Sequence, residues 1–116
     1  MNFLFPKSEK LKSRKTIELL FSEGKSFSKF PIKVFYLPIE NAEKNQAGFT
    51  VSKRNFKSAV DRNRIKRQMR EAYRLQKHLL NSENGLKFAI FFLYIGKEKL
   101  PYSKIETAME SLIKKL

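Results

Sequence analysis

The sequence has no cysteine, only four glycines and a single histidine. Without cysteine there is no disulfide, no thiolate metal site and no thiol nucleophile, which fits a reducing cytosol. Four glycines are too few for a glycine-rich phosphate cradle, and neither a Walker-type loop nor a G-x-S-x-G element occurs. His78 stands near a predicted helix end, where it reads as a dipole partner and not as a general base. The eleven acidic residues are scattered, with no D-x-D, no paired carboxylates and no H-E-x-x-H. No self-contained active site emerges, and no metal or cofactor is expected on the protein itself. No apolar run approaches the about 20 residues of a membrane span. The opening MNFLFPKSEKLKSRK is too short in its apolar part, and too charged afterwards, for a signal peptide. The expectation is a cytoplasmic protein.

Positive charge is what the chain has in excess. Its 116 residues carry 25 Lys and Arg against 11 Asp and Glu, a net charge of +14 and a pI near 10.2. Such a balance implies a polyanionic partner. The excess is uneven, with ten cations and two acids between Lys53 and Lys77. Hydrophobic residues make up 41% of the chain and include eleven Phe. A disordered basic tail would lack them, so the chain should fold as one domain over residues 1–116 and present a charged face.

Patterning gives an order of elements, after an irregular start over residues 1–10. Ser13 caps a predicted helix to about Ser22, with Ile17, Leu20 and Phe21 at helical spacing and Gly24 as its stop. Phe30 to Leu37 alternates as a strand, and a shorter strand lies near Phe27. Pro38 to Ala47 reads as a connection and Gly48 to Arg54 as the next strand. Ser58 caps a long helix to about Leu80. After the NSEN turn and Gly85, the run from Leu86 to Ile95 (LKFAIFFLYI) reads as a buried central strand. Ser103 and Glu106 form an S-x-x-E capping box for a last helix. The fold class is α+β, a compact two-layer sandwich in the order α-β-β-β-α-β-α.

The stretch AVDRNRIKRQMREAYR, from Ala59 to Arg74, holds five Arg and one Lys. Wound as a helix, Ile65, Met69, Ala72, Tyr73, Leu79 and Leu80 gather on one side. Lys66, Arg67, Arg70, Arg74 and Lys77 gather on another. A solvated face usually mixes signs in i,i+4 pairs, and this one has almost nothing to pair with. Arg62 and Arg64 stand near the positive end of the helix dipole, which is unfavourable without an external anion. Arg dominates over Lys, which suits bidentate phosphate contacts. Lying on a membrane would need a free apolar side, and the core requires that side. On the sheet, Lys33, Phe35, Thr50, Ser52 and Arg54 can share one surface. An aromatic among hydroxyls and cations suits single-stranded nucleotides, although Phe35 can equally be core beneath a helix.

The run AGFTVSKR followed by AVDRNRIKRQMREAYR resembles the protein subunit of bacterial ribonuclease P. The resemblance centres on Arg62-Asn63-Arg64, Ile65-Lys66-Arg67 and Arg70-Glu71, and extends over roughly residues 10–115. It implies a ribosomal-protein-like fold with a left-handed β-α-β crossover, against the general rule for such units. It also implies a role in removing the 5′ leader of precursor tRNA. The RNA subunit would be the ribozyme and hold the Mg2+, and the protein would bind that RNA one to one and contact the leader. Arg62, Asn63, Arg64, Lys66, Arg67 and Arg70 would contact the RNA subunit, with Arg74 of the same basic stripe. Ile17, Phe21, Lys33, Phe35, Thr50 and Ser52 would form the leader cleft, with Arg54 beside them. The family usually has an aromatic where Ile17 stands. It often has a Gly in the loop that is Asn55-Phe56-Lys57 here, and an Arg near the end of the last strand, where this chain has Phe92-Leu93-Tyr94. Two other classes compete: a structural ribosomal or RNA-chaperone protein, and a DNA-binding module, for which no helix-turn-helix, finger or zipper is present.

Overall fold

The computed structural model describes Phe5 and residues 9–39, 44–80 and 87–116. The element order is α1 (Arg14–Glu23), β1 (Lys25–Lys29), β2 (Ile32–Ile39), β3 (Gln46–Val51), α2 (Ala59–Gln76), β4 (Lys87–Tyr94) and α3 (Tyr102–Lys115). A single 3-10 turn, Lys77–Leu79, extends α2. The order is the expected one, and the short strand near Phe27 is β1. The NSEN turn and Gly85 lie outside the described residues.

The sheet order is β1-β2-β4-β3. β1 pairs antiparallel with β2, and β2 with β4. β3 lies parallel to β4, so the chain must cross over between them, and α2 is that crossover. Alternation sorts side chains onto two faces. Ile32 and Val34 of β2, Ala47 and Val51 of β3, and Ile90, Phe92 and Tyr94 of β4 face α2 and α3. Phe35, Leu37 and Ile39 of β2, with Ala89 and Phe91 of β4, face the other way, toward Ile17 and Leu20 of α1 and toward Leu11. β4 is therefore central and covered on both faces, which is why its sequence is almost continuously apolar.

Several boundaries shift for local reasons. β2 begins at Ile32 because Phe30 and Pro31, joined by a cis peptide bond, form the turn from β1. It runs on through Pro38, expected in the connection. β1 pairs with β2 only as far as Tyr36, so Pro38 faces no partner on that side and its missing N–H breaks no ladder. β3 ends at Val51, short of Arg54. There the Ser52 hydroxyl accepts the Arg54 N–H at 3.2 Å and the Ser52 carbonyl accepts the Phe56 N–H at 3.1 Å, turning the chain. Phe56, expected in an open loop, is buried against Tyr94, with ring centroids 5.8 Å apart. Ser13 caps α1 and Ser58 caps α2 as the sequence predicts, each hydroxyl accepting the N–H three residues on.

The capping box at Ser103 does not form. α3 starts two residues earlier, with Pro101 at the cap position at φ −59° and no side-chain cap. Ser103 lies inside the first turn, and its carbonyl accepts the Thr107 hydroxyl at 2.9 Å. Proline fixes the entry angle, and the packing of Tyr102 against the core begins the helix there.

Candidate nucleic-acid interface

α2 is positioned by its apolar stripe. Ile65, Met69, Ala72 and Tyr73 are all fully buried against β3, β4 and α3. No apolar face of α2 remains for a membrane, and no helix of the described residues is long and apolar enough to cross one. Opposite the stripe, Asn63, Arg64, Arg67 and Arg70 are exposed and Lys66 is half-buried. None of these five side chains has an ion-pair or hydrogen-bond partner among the described residues. Lys53, Arg54 and Lys57, in the loop before α2, are exposed beside the same end of the helix. Arg64, Arg67 and Arg70 thus stand in water about one turn apart, with no acid among the described residues to neutralise them.

Two members of the predicted set behave differently. The Arg62 guanidinium turns back and donates Nη1–H bonds to the carbonyls of Phe56 at 2.8 Å and Lys57 at 2.9 Å. The Arg62 charge near the positive helix end is thus partly offset by carbonyl oxygens within the protein. Arg74 is paired with Glu71, donating Nε–H at 3.1 Å. That hydrogen bond, with the charge behind it, holds the Glu71 carboxyl below the usual carboxylate range. Lys77, also on the predicted stripe, is bound by Glu9 at 2.8 Å. The unpaired face therefore spans Asn63 to Arg70 and is shorter than the sequence stripe. Sequence distance hid the Glu9 partner, 68 residues from Lys77.

The second surface is the cleft between α1 and the sheet. Strand register places Phe35, Phe91 and Gly48 in one row across the sheet, and Lys33, Leu93 and Thr50 in the next. The pairing thus gathers Lys33, Phe35 and Thr50, as predicted. Phe21 of α1 overhangs the first row, with ring centroids 4.8 Å from Phe35 and 5.6 Å from Phe91, both edge-on. Phe35 is half-buried there and Lys33 Nζ sits 5.1 Å from its ring centre. The exposed aromatic is Phe21, at 51%. Ile17 is half-buried against the same cluster. Ser52 lies just past β3 in its turn, and Arg54 is exposed two residues on.

Phe91 is a cleft residue that the sequence reading placed only in a buried strand. Its signal was the odd-numbered parity it shares with Ala89, visible only once the register with Phe35 is known. Gly48 makes room for it, since a Cβ there would stand 2.7 Å from the Phe91 ring. Lys99 also reaches the α2 face. It pairs with Asp61 at 3.3 Å and lines, with Arg64 and Gln68, a cavity of about 240 Å³. Among the described residues no group of three or more His, Asp or Glu comes together to hold a metal ion.

The ribonuclease P family model matches residues 5–116. The chain belongs to the ribonuclease P protein family. The ribonuclease P protein component of Porphyromonas gingivalis is 42% identical, over 97% of this chain and 86% of the relative. That of Alkaliphilus metalliredigens is 31% identical over 94% of each. Among solved structures, the ribonuclease P protein of Thermotoga maritima superposes with a TM-score of 0.78 at 24% identity, over 93% of this chain and 97% of that one. The Staphylococcus aureus protein gives 0.78 at 22%, over 93% and 94%. These two likenesses establish the same α+β fold. Membership in the ribonuclease P family implies a place in tRNA 5′ processing as a subunit of a ribonucleoprotein.

Proposed function

We propose that this chain binds the catalytic RNA subunit of ribonuclease P, one to one, and promotes Mg2+-dependent removal of the 5′ leader from precursor tRNA. In this reading the RNA holds the metal ions and breaks the bond, and the protein supplies no catalytic group. Asn63, Arg64, Lys66, Arg67 and Arg70 contact the RNA subunit. Arg62 holds the loop before α2 in place for them, and Arg74 borders the surface in its pair with Glu71. The leader occupies the cleft of Ile17, Phe21, Lys33, Phe35, Thr50 and Ser52, with Arg54 at its rim. The observation that carries the reading is the run of unpaired cations on the outer face of α2. Phosphates are the partner whose charge and geometry suit exposed guanidinium groups.

The test is single-turnover cleavage of a precursor tRNA by ribonuclease P RNA at low magnesium, with and without the protein, and with the protein alone. Faster 5′ maturation only in the combined reaction is the expected result. RNA binding with no gain in cleavage, including with RNA from the same organism, would move the protein to a ribosomal or chaperone role. At residue level, Arg64→Ala or Arg67→Ala should each lower the log–log salt slope of RNA binding by about 0.7–0.9 unit. An unchanged slope would mean that these side chains only face solvent.

A further inference from the structure

Phe30 is the most exposed aromatic ring among the described residues, at 67%. It stands at the tip of the hairpin between β1 and β2. It makes no ring–ring or cation–π contact among the described residues. A lone apolar side chain in water is ordinary, but this ring is not alone. With Ile95 and Leu100 it walls an apolar hollow of about 360 Å³, which Lys97 and Glu98 also line. That is room enough for one flat ring system. The walls are held by the fold itself. The Ile95 N–H donates to the Pro31 carbonyl at 2.8 Å, and the Tyr94 hydroxyl to the Glu98 carbonyl at 2.7 Å. Gly96 is buried in this turn, where a Cβ would come within 3.0 Å of the Tyr94 ring and 3.2 Å of Pro31.

Leu100 also lines the hollow of Arg64, Gln68 and Lys99. The apolar hollow therefore adjoins the basic face of α2, whereas the aromatic cleft lies under α1 on the other face of the sheet. Exposed cations surround both hollows: Lys29 beside Phe30, then Lys97, Lys99 and Arg64. Lys99 is held by Asp61, and the other three have no acid partner among the described residues. The charge decides between occupants. A second copy of the chain would bring the same lysines and its own net charge of +14 against them. An apolar peptide would leave the cations unused. An aromatic wall with cations on the approach suits a base carried on a phosphate backbone. The Glu98 carboxylate can accept an amino or ring N–H of that base.

We propose that the hollow of Phe30, Ile95 and Leu100 takes an unpaired nucleobase of the RNA subunit, stacked on the Phe30 ring, with the adjoining backbone running past Lys99 to Arg64. The inference rests on the function proposed above. The RNA subunit is the occupant, and not the leader, because the hollow opens beside the helix face assigned to that RNA and away from the cleft. The contact is neutral, so it adds affinity without adding to the salt dependence that the arginines supply.

The full chain would be titrated with ribonuclease P RNA over a range of salt. Phe30→Ala should weaken binding about 5- to 150-fold, the loss of one base stack, and leave the log–log salt slope unchanged. Its ring is mostly in water, so the substitution carries little risk to folding. The chain has no Trp, so Phe30→Trp installs a single fluorescent reporter that should keep the affinity. Stacking on a base should quench its emission when ribonuclease P RNA binds, and an unrelated RNA of equal length should quench it far less. Wild-type affinity in Phe30→Ala, or unquenched emission in the complex, would overturn the pocket while leaving the subunit role intact. Unquenched emission that responds instead to an acidic protein would give the hollow to a protein partner. Equal quenching by the unrelated RNA would also overturn the assignment. If the wild-type protein neither binds ribonuclease P RNA nor stimulates its cleavage of precursor tRNA, the subunit role fails and the pocket falls with it.

Discussion

Arg62→Ala should destabilise the protein, whereas Arg64→Ala two residues on should not. The Arg62 Nη1 bonds to the Phe56 and Lys57 carbonyls close the loop between β3 and α2. Hydrogen bonds from a charged donor contribute roughly 1.5–3 kcal/mol each when shielded. The bond to the Lys57 carbonyl is exposed and counts for less, and the one to Phe56 is half-buried. Removing a cation from the positive end of a helix returns about 0.3–1 kcal/mol. The net cost should be about 1–2 kcal/mol. A chain of 116 residues unfolds with an entropy that converts each kcal/mol to about 4 °C, so the melting temperature should fall by about 4–8 °C. Thermal unfolding followed by circular dichroism, at matched salt, reads this directly. Arg64 is exposed and unpaired, so its replacement should leave the melt nearly unchanged and lower the salt slope of RNA binding instead. An Arg62→Ala protein that melts with wild type and loses a full unit of salt slope would refute the clamp and make Arg62 a direct phosphate contact.

Gly48→Ala would place a Cβ 2.7 and 2.8 Å from two carbons of the Phe91 ring, forcing the ring to move. It should cost about 1–3 kcal/mol in urea unfolding and loosen the platform under Phe21; wild-type stability would refute the close approach. Phe21→Ala should weaken binding of leader-bearing precursor by about 1–3 kcal/mol if the ring stacks on a base, with little change in melting, because half of the ring is already in water. Phe35→Ala, in contrast, should cost stability as well, and equal loss for leaderless tRNA would exclude both rings from leader contact. Tyr73 is buried, and burial with the nearby Glu9 charge raises its phenol above its ordinary value of 10.0. Folded stability from this group is therefore full below pH 10 and falls above it, as the unfolded chain releases a proton that the folded protein keeps. The limiting slope is about 1.4 kcal/mol per pH unit. Tyr73→Phe should flatten urea stability between pH 10 and 11.5, and parallel curves for the two proteins would count against the shift.

The sequence by itself determined the element order, the two serine caps, the inward stripe of α2 and the excess of cations on its other side. These follow from local periodicity and from the need to bury Ile65, Met69 and Tyr73, so neighbours within a few residues settle them. The ribonuclease P motif was legible for the same reason: its cations and its apolar anchors lie on one helix. Tertiary structure alone decided which cations stay unpaired, because Lys77 meets Glu9 and Lys99 meets Asp61 across long stretches of chain. It decided that Phe91 joins Phe35 in the cleft, since that depends on strand register and on the space left by Gly48. It made Phe21, not Phe35, the exposed ring, because α1 comes down on one face of the sheet and half-covers what lies beneath. It moved the start of α3 to Tyr102, where core packing outweighed a local capping signal. Periodicity fixes which side of an element is buried, but pairing between distant elements fixes what the other side meets.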